Sequence, residues 1–427
     1  MNFYESEIAK AEKRIKRIEE NPDPTKLKSN KMLYELDRDL YSYRLRRWKE
    51  GKPFAEGLNA PIFKSMGLEP LNLDMCADRS QLTAKEFGII RGAGYPDSAC
   101  DRTVLLMAMY INKLLPPPAF VVSSQVACDP IMLMYAAVAA MFNAPQACLD
   151  IGLEANDDTL RYITAQLGEI IEYAAAKVPG VKFDESKLIE LQEADRKCFN
   201  LLHEIYEFRK SVPCPMAGRD TFRLPLPASY YPDPYKALEF YEVWRDEVAE
   251  RVAKGIGAVK EEKGRVLWAV SGPFYADPFP ILENRGISIP WFEYDMAMRW
   301  SVVKYGNYGD EKEYGRKLSI LEEEARIINS LSWAGKADRW VEDVLYLCRD
   351  LNIDAIINFL QVGCTATVGL AKILEDEADK QLGIPTLQIE GRQLDHSYFD
   401  KKQVADQLNM FIDILLRRKA ERQVKSH

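Results

Sequence analysis

The sequence lacks most of the features that mark a zinc protein or a nucleic-acid-binding protein. It holds three histidines in 427 residues, and its eight cysteines form no C-x-x-C pair and no Cys/His pair at zinc-finger spacing. Lys and Arg number 57 against 65 Asp and Glu, so there is no basic excess to neutralise phosphates. These absences exclude a local zinc motif and argue against nucleic acid as a partner.

Long apolar runs are also missing. The longest, IMLMYAAVAAMF (131–142), is shorter than the roughly 20 residues that cross a bilayer, and it predicts a buried helix. The first residues are charged and periodic and contain no apolar segment of a secretory signal. We therefore expect a cytoplasmic protein without membrane contact, whose cysteines are thiols because that compartment is reducing.

The sequence does contain what a large α/β core requires. Hydrophobic residues make up 47% and charged residues 29% of the chain. Apolar runs such as AFVVSS (119–124) and IDAIINFL (353–360) predict buried strands, and helical periods lie between them. This alternation is typical of parallel sheets. The expected fold class is α/β, with two flavodoxin- or Rossmann-like parallel-sheet domains, a helical N-terminal region and a helical linking segment.

The predicted organisation has four parts. A Pro/Gly-rich connector (51–72) follows the first two helices, and a long Pro-rich passage (211–235) is of the kind that is functional or interdomain. The parts are a helical N-terminal region (1–72), a first α/β unit (73–155), a helical and irregular linking segment (156–262), and a second α/β domain with a C-terminal helix (263–427).

Three cysteines stand where a strand ends or a helix begins. They are Cys100 in GYPDSACDRTVLLM, Cys128 in AFVVSSQVACDP and Cys364 in IDAIINFLQVGCTATVGLAK. In open α/β sheets, chemistry gathers at the carboxyl ends of the strands. The turns around Cys128 and Cys364 mirror each other, and the helix N-terminus in each favours thiolate, the form that binds iron or attacks as a nucleophile. The ordinary alternative for any one of them is a small buried residue.

The remaining cysteines carry weaker signals. Cys148 lies in a predicted strand, and Cys198 and Cys348 lie inside predicted helices, so we expect core or surface thiols there. Cys76 and Cys214 fall in irregular segments and have no assignment. The passage SGPFYADP (271–278) has no phosphate-loop lysine, although it follows a strand end and could line a ligand cleft.

The ordered set of motifs resembles a known group of enzymes. Cys100 in Y-x-x-x-x-C, LLPPPAFVVSSQVACD around Cys128 and IINFLQVGCTATVG around Cys364 are similar to the 2-hydroxyacyl-CoA dehydratase and benzoyl-CoA reductase superfamily, from about residue 85 to 418. The resemblance implies an oxygen-sensitive [4Fe–4S] cluster held by these three thiolates in a cleft between two α/β domains. One iron would stay open to substrate oxygen. The resemblance leaves open a flavin in the complex.

The resemblance also implies partners and a reaction. The chain would be the larger subunit of a dehydratase, paired with a smaller homologous subunit and served by an ATP-hydrolysing iron–sulfur activator. Its substrate would be an (R)-2-hydroxyacyl-CoA, with lactoyl-CoA to acryloyl-CoA as one case, dehydrated through a ketyl radical with no net electron use. Ser123 and Ser124 could hold the substrate hydroxyl or the thioester oxygen. Their alternative role is to cap the helix that follows.

Some positions depart from the family pattern, and other functions stay open. Residues 330–340 lack a cysteine that some relatives carry, which leaves Ser332 as an oxygen neighbour of the cluster. Arg392 and His396 stand where relatives often show an acid and a proline, and His396 is expected in a surface turn. The alternatives are a subunit of benzoyl-CoA reductase, a non-catalytic electron-relay subunit, and a cluster-free α/β binding protein.

Overall fold

Two parallel sheets organise the computed structural model of the chain. In chain order the strands are β1 (Phe54–Glu56), β2 (Glu69–Pro70), β3 (Phe120–Ser124), β4 (Gln146–Leu149), β5 (Gly264–Ala269), β6 (Ile287–Ser288), β7 (Ala355–Gln361) and β8 (Thr386–Gly391). The described residues are 2–22, 26–58, 60–71, 84–96, 98–124, 126, 128–222, 226–270, 272, 278–292, 314–395 and 400–425.

The two sheets share one strand order. The first runs β2-β1-β3-β4 and the second β6-β5-β7-β8, and every pairing is parallel. In each sheet the first strand along the chain therefore lies between the second and the third, which is the flavodoxin-like order. The predicted α/β class with two parallel sheets is confirmed.

Helices connect and flank these strands. In chain order they are α1 (Phe3–Glu20), α2 (Ser29–Lys49), α3 (Ala60–Ser65), α4 (Ala84–Gly92), α5 (Asp101–Ile111), α6 (Asp129–Phe142), α7 (Asp157–Lys177), α8 (Glu185–Phe208), α9 (Gly218–Phe222), α10 (Pro234–Ala253), α11 (Phe279–Asn284), α12 (Ile320–Asn329), α13 (Ala337–Asp350), α14 (Thr365–Leu382) and α15 (Lys401–Lys425). None of the helices within the described part of the chain is long and apolar enough to cross a membrane.

Strands β1 and β2 lie in a stretch for which the sequence predicted only a connector. Both fall within 51–72, the end of the predicted helical N-terminal region, yet they form one side of the first sheet. Their three and two residues are too few to show a period of two. Gly57, which follows β1 at φ +94°, packs against the backbone of β3, where a Cβ would come within 1.7 Å of the Val122 oxygen.

Helix α6 differs from the sequence prediction in its burial. The run 131–142 predicted a buried helix, but only Met134, Val138 and Ala139 are buried, whereas Leu133 is 65% and Met141 42% exposed. The prediction was wrong because an all-apolar helix shows no contrast between an inner and an outer face. One side of α6 packs on β3, and the other carries exposed apolar side chains.

Candidate functional site

Each of the three predicted cysteines occupies the N-cap of a helix. Cys100 precedes α5, Cys128 precedes α6 and Cys364 precedes α14, each with an extended backbone and no side-chain cap hydrogen bond. Sulfur is a weak acceptor, so the first amides of these helices keep their capacity to bind an anion. The chain therefore presents three thiols at three helix N-termini, as the sequence predicted.

Topology places two of these cysteines at equivalent points of the two sheets. Cys128 follows β3 and Cys364 follows β7, and each of these strands lies next to the position where the strand order reverses. Ligands in flavodoxin-like folds bind at the carboxyl ends of the strands at this switch point. The sequence order alone puts both thiols where this fold binds ligands.

Cys100 and Cys364 are brought together directly. Gly363, at φ +85°, lies against the turn before α5, where a Cβ would come within 2.7 Å of the Cys100 backbone nitrogen and 2.4 Å of the Ser98 oxygen. The Cys364 thiol is also close enough for its charge to raise the pKa of Cys100. For Cys128, the placement rests on its topological position after β3.

The three N-cap cysteines differ from the other described cysteines in how far they are buried. Cys100, Cys128 and Cys364 are partly buried, whereas Cys148 is exposed. The other described cysteines, Cys198, Cys214 and Cys348, are buried. Cys76 lies outside the described residues.

The Cys100 thiol is held in its neutral form. Burial and the charge of Asp101 raise its pKa to about 12, while the backbone N–H of Arg102 acts in the opposite direction. A thiolate at this position therefore requires a cation beside it, which a metal supplies. A free nucleophilic thiolate is therefore disfavoured at Cys100.

The donor set fits an iron–sulfur cluster. Thiolates are the general ligands of such clusters, and N–H groups near the sulfurs stabilise them. No three His, Cys, Asp or Glu side chains within the described ranges are close enough to hold a single metal ion. A cubane binds each thiolate through a different iron, so its ligands lie farther apart than those of one ion.

The predicted serines have different surroundings. Ser123 in β3 is buried, donates to the Ala147 oxygen at 3.3 Å and accepts from Gln146 Nε2 at 2.9 Å. Ser124, the last residue of β3, is 6% exposed, and its side chain leaves the opposite face of the strand. The Ser332 hydroxyl donates to Asp343.

A buried polar network that the sequence did not predict surrounds Cys100 and Cys364. Asp101, directly after Cys100, accepts hydrogen bonds from Gln361 and from the backbone of Leu394 and Asp395. The repeated Cys-Asp pair at 100–101 and 128–129, each opening a helix, was the available signal. The partners of Asp101 lie more than 250 residues away, which no local pattern reveals.

Two further predicted segments adjoin this network. Arg392 is buried and donates to the Ala99 oxygen at 3.2 Å, so it joins the tail to the turn that holds Cys100. Within 271–278 the structure describes Gly272, where a Cβ would meet Gln393 Cγ at 2.7 Å, and Pro278. Gln393 lies between Arg392 and Leu394, so the segment that follows β5 lies against this network. His396 lies outside the described residues.

The sequence as a whole assigns the chain to one family. The model of the family described as 2-hydroxyglutaryl-CoA dehydratase, D-component, matches residues 60–415. The chain belongs to this family, and the resemblance drawn from its motifs is confirmed.

Two similar proteins carry the name of an alpha subunit. One is the (R)-phenyllactyl-CoA dehydratase alpha subunit of Clostridium sporogenes, 21% identical over 315 residues, with 72% of this chain and 73% of the relative covered. Another is the (R)-2-hydroxyglutaryl-CoA dehydratase subunit alpha of Acidaminococcus fermentans, 21% identical over 313 residues. That match spans 72% of this chain and 62% of the relative, less than two thirds of its length.

Proposed function

We propose that this chain is the cluster-bearing subunit of a 2-hydroxyacyl-CoA dehydratase, which removes water from an (R)-2-hydroxyacyl-CoA. The observation that carries the proposal is the position of three N-cap thiols around the strand ends, with Cys100 and Cys364 side by side. The family match and the dehydratase names of the two relatives support the same reaction.

Cys100, Cys128 and Cys364 would hold a [4Fe–4S] cluster. When bound, such a cluster would supply one-electron chemistry to the thioester, by which the hydroxyl at C2 would leave through a ketyl radical anion with no net electron use. The three N-cap positions bring the amides of α5, α6 and α14 towards the negative charge of the sulfurs. Partial burial of all three thiols limits the access of water.

Ser123 and Ser124 would have different roles at the end of β3. Ser124 would donate its hydroxyl to the substrate hydroxyl or to the thioester oxygen. Ser123, bonded across to β4 through Gln146 and Ala147, would hold the strand end in place. A Ser124→Ala chain that keeps its cluster but loses turnover is the expected outcome of this assignment.

In the net reaction, the C–O bond at C2 and a C–H bond at C3 break, and water and an enoyl-CoA form with no net electron use. Lactoyl-CoA, which would give acryloyl-CoA, is our proposed substrate. The named relatives act on phenyllactyl-CoA and 2-hydroxyglutaryl-CoA. Turnover measured side by side with these three thioesters decides among the acyl groups.

The proposal includes two protein partners. A smaller homologous subunit would pair with this chain, in agreement with the alpha-subunit names of the relatives, and an ATP-hydrolysing iron–sulfur activator would deliver the electron. Helix α6 offers a surface for the smaller subunit, because Leu133 and Met141 are exposed and 130–142 contains no charged residue. An apolar helix face on the smaller subunit would cover it.

Anaerobic purification followed by iron and sulfide analysis tests the cofactor. About four irons and four sulfides per chain are expected. An iron-free chain after anaerobic reconstitution would contradict the proposal and leave a cluster-free binding protein. The same sample, together with its partner subunit, is then assayed for flavin.

Turnover tests the reaction. With the partner subunit and the activator present, an enoyl-CoA should form with catalytic amounts of reductant. Stoichiometric use of reductant would instead identify a ring reductase. A cluster whose paramagnetic spectrum does not respond to any CoA thioester would identify an electron-relay subunit.

A further inference from the structure

The Asp101 carboxylate joins segments that are far apart in sequence. It is fully buried and opens α5 directly after Cys100. Its Oδ2 accepts from the backbone N–H groups of Leu394 at 2.7 Å and Asp395 at 3.0 Å. Its Oδ1 accepts from Gln361 Nε2 at 2.9 Å. All three partners are N–H donors, which suits a carboxylate that serves as an acceptor only.

Gln361 carries the connection on to Cys364. It is the last residue of β7, and its backbone oxygen accepts from the Cys364 N–H at 3.0 Å. Its side-chain Oε1 accepts from the Gln393 N–H at 2.7 Å, while Nε2 also donates to the Val362 oxygen at 2.7 Å. One residue thus fixes the Cys364 turn through its backbone and Asp101 through its side chain.

Further contacts run between the same two parts of the chain. Arg102 Nε donates to Gln393 Oε1 at 2.5 Å, and Arg91 pairs with Asp395 at 2.7 Å. The region before and at the start of α5 is therefore attached to the segment after β8 at several points. Burial makes the Arg102–Gln393 bond costly to break, because the donor and acceptor that remain would have no water to replace it.

We infer that Asp101 and Gln361 are positioning residues that hold Cys100 and Cys364 beside each other before any ligand binds. The inference deepens the proposed function and rests on it where it treats these thiols as cluster ligands. Asp101 attaches the start of α5 to Gln361 and to the backbone after β8, and Gln361 attaches the Cys364 turn to the same point. The site is preorganised by hydrogen bonds that do not involve the sulfurs.

Cross-linking of the metal-free full chain tests the inference. Dibromobimane joins two nearby thiols into a fluorescent product, and peptide mapping identifies the Cys100–Cys364 pair. Removal of either positioning group should slow this cross-link about tenfold, through loss of the preorganisation that makes the second step intramolecular. The rate is divided by the rate of each thiol with monobromobimane, so that a change in thiol reactivity is not counted as separation.

The variants are chosen for shape. Gln361→Met keeps the volume of the side chain and removes its amide, and Asp101→Asn keeps the shape and turns one acceptor into a donor facing Gln361 Nε2. The matched control is Asn358→Leu, also a buried amide on β7, whose Nδ2 donates to Gln388 instead. A folded Gln361→Met chain that cross-links at the rate of the Asn358→Leu control would overturn the inference.

A measurement on the wild-type chain covers the case in which the variants do not fold. In the metal-free protein, the amide hydrogens of Leu394 and Asp395 should exchange as slowly as those in the middle of α5. Fast exchange at both amides would overturn the inference, because Asp101 would then not hold them. Neither measurement uses iron, thioester or turnover, so an iron-free result for the proposed function leaves both interpretable.

Discussion

Gly363 lies against Cys100: a Cβ at Gly363 would come within 2.7 Å of the Cys100 backbone nitrogen. The first prediction follows from this contact. Gly363→Ala should destabilise the chain by about 3 kcal/mol, because φ is +85° and the neighbouring atoms are backbone that cannot rotate away. The bound iron should fall with it, since Cys364 is pushed from Cys100. Urea unfolding and iron analysis measure the two effects.

Gly369 in α14 provides the matched control for this change. No atom lies within 4 Å of a Cβ built there. Gly369→Ala should therefore stabilise the chain by about 0.5–1 kcal/mol, since alanine is the better helix former. Equal loss of iron in both variants would show that the contact between Gly363 and Cys100 does not matter for the site.

The second prediction concerns the three N-cap thiols. Replacement of Cys100, Cys128 or Cys364 by serine should in each case lower the iron content from about four to less than about one per chain. The far-UV circular dichroism should stay unchanged. Serine is a better N-cap than cysteine, so the helices themselves should persist. Iron retained at the wild-type level in any one of the three would remove that residue from the ligand set.

Two other cysteines serve as controls for these substitutions. Cys148→Ser, at an exposed position of β4, should keep both iron and stability. Cys348 is buried in the last turn of α13, away from the three helix N-termini, so Cys348→Ser should keep the iron. It should lose about 1 kcal/mol of stability through the buried hydroxyl.

The third prediction tests the exposed side of α6. Leu133→Glu places a charge on an apolar face that we expect the partner subunit to cover, so the complex should dissociate at least about tenfold more readily. Analytical ultracentrifugation of the two-subunit complex measures this. Val424→Glu on α15, where the side chain is 77% exposed, should leave association unchanged. An intact complex with Leu133→Glu would place the partner elsewhere.

The fourth prediction is a pH dependence of stability. Burial lowers the pKa of Lys64 to about 8, and its Nζ donates to the Tyr230 oxygen at 2.9 Å and the Tyr231 oxygen at 2.8 Å. Below pH 8 the amine is charged in both the folded and the unfolded state, and its burial costs stability. Between pH 8 and 10.5 the unfolded state binds more protons than the folded state, so stability rises with pH.

Comparison with Lys64→Met isolates this effect. The wild-type free energy of unfolding should increase by about 2 kcal/mol relative to the variant between pH 7 and 10. Urea titrations of both proteins at pH 7, 8.5 and 10 give the difference directly. Parallel curves for the two proteins would show that Lys64 has the same pKa in the folded and unfolded chains.

The sequence predicted the longer strands and missed β1 and β2 for a physical reason. Strands β3, β5 and β7 are almost wholly buried, because both faces of a parallel sheet are covered. Strands β1 and β2 have three and two residues, too few to show a strand period in the sequence. The burial of α6 was mispredicted because composition does not tell whether the same chain covers both of its sides.

For the site, local sequence patterns were enough to locate the three cysteines, but they did not reveal the hydrogen bonds that position Cys100 and Cys364. Cys128 and Cys364 could be predicted, because a strand end and a helix start are readable within a few residues. The bond between Asp101 and Gln361 could not, because it spans 260 positions, although the repeated Cys-Asp pair drew attention to Asp101 itself. A helix start was expected to favour the thiolate form of a cysteine. At Cys100, burial and the charge of Asp101 outweigh this effect and raise the pKa of the thiol.

The bonds from Asp101 to the backbone after β8 also set an order of events during synthesis. Leu394 leaves the ribosome 293 residues after Asp101. Until then the Asp101 carboxylate lacks its backbone donors at Leu394 and Asp395. The arrangement of Cys100 beside Cys364 therefore arises only after translation of both halves, and in the proposed cluster site iron delivered earlier would meet Cys100 without Cys364.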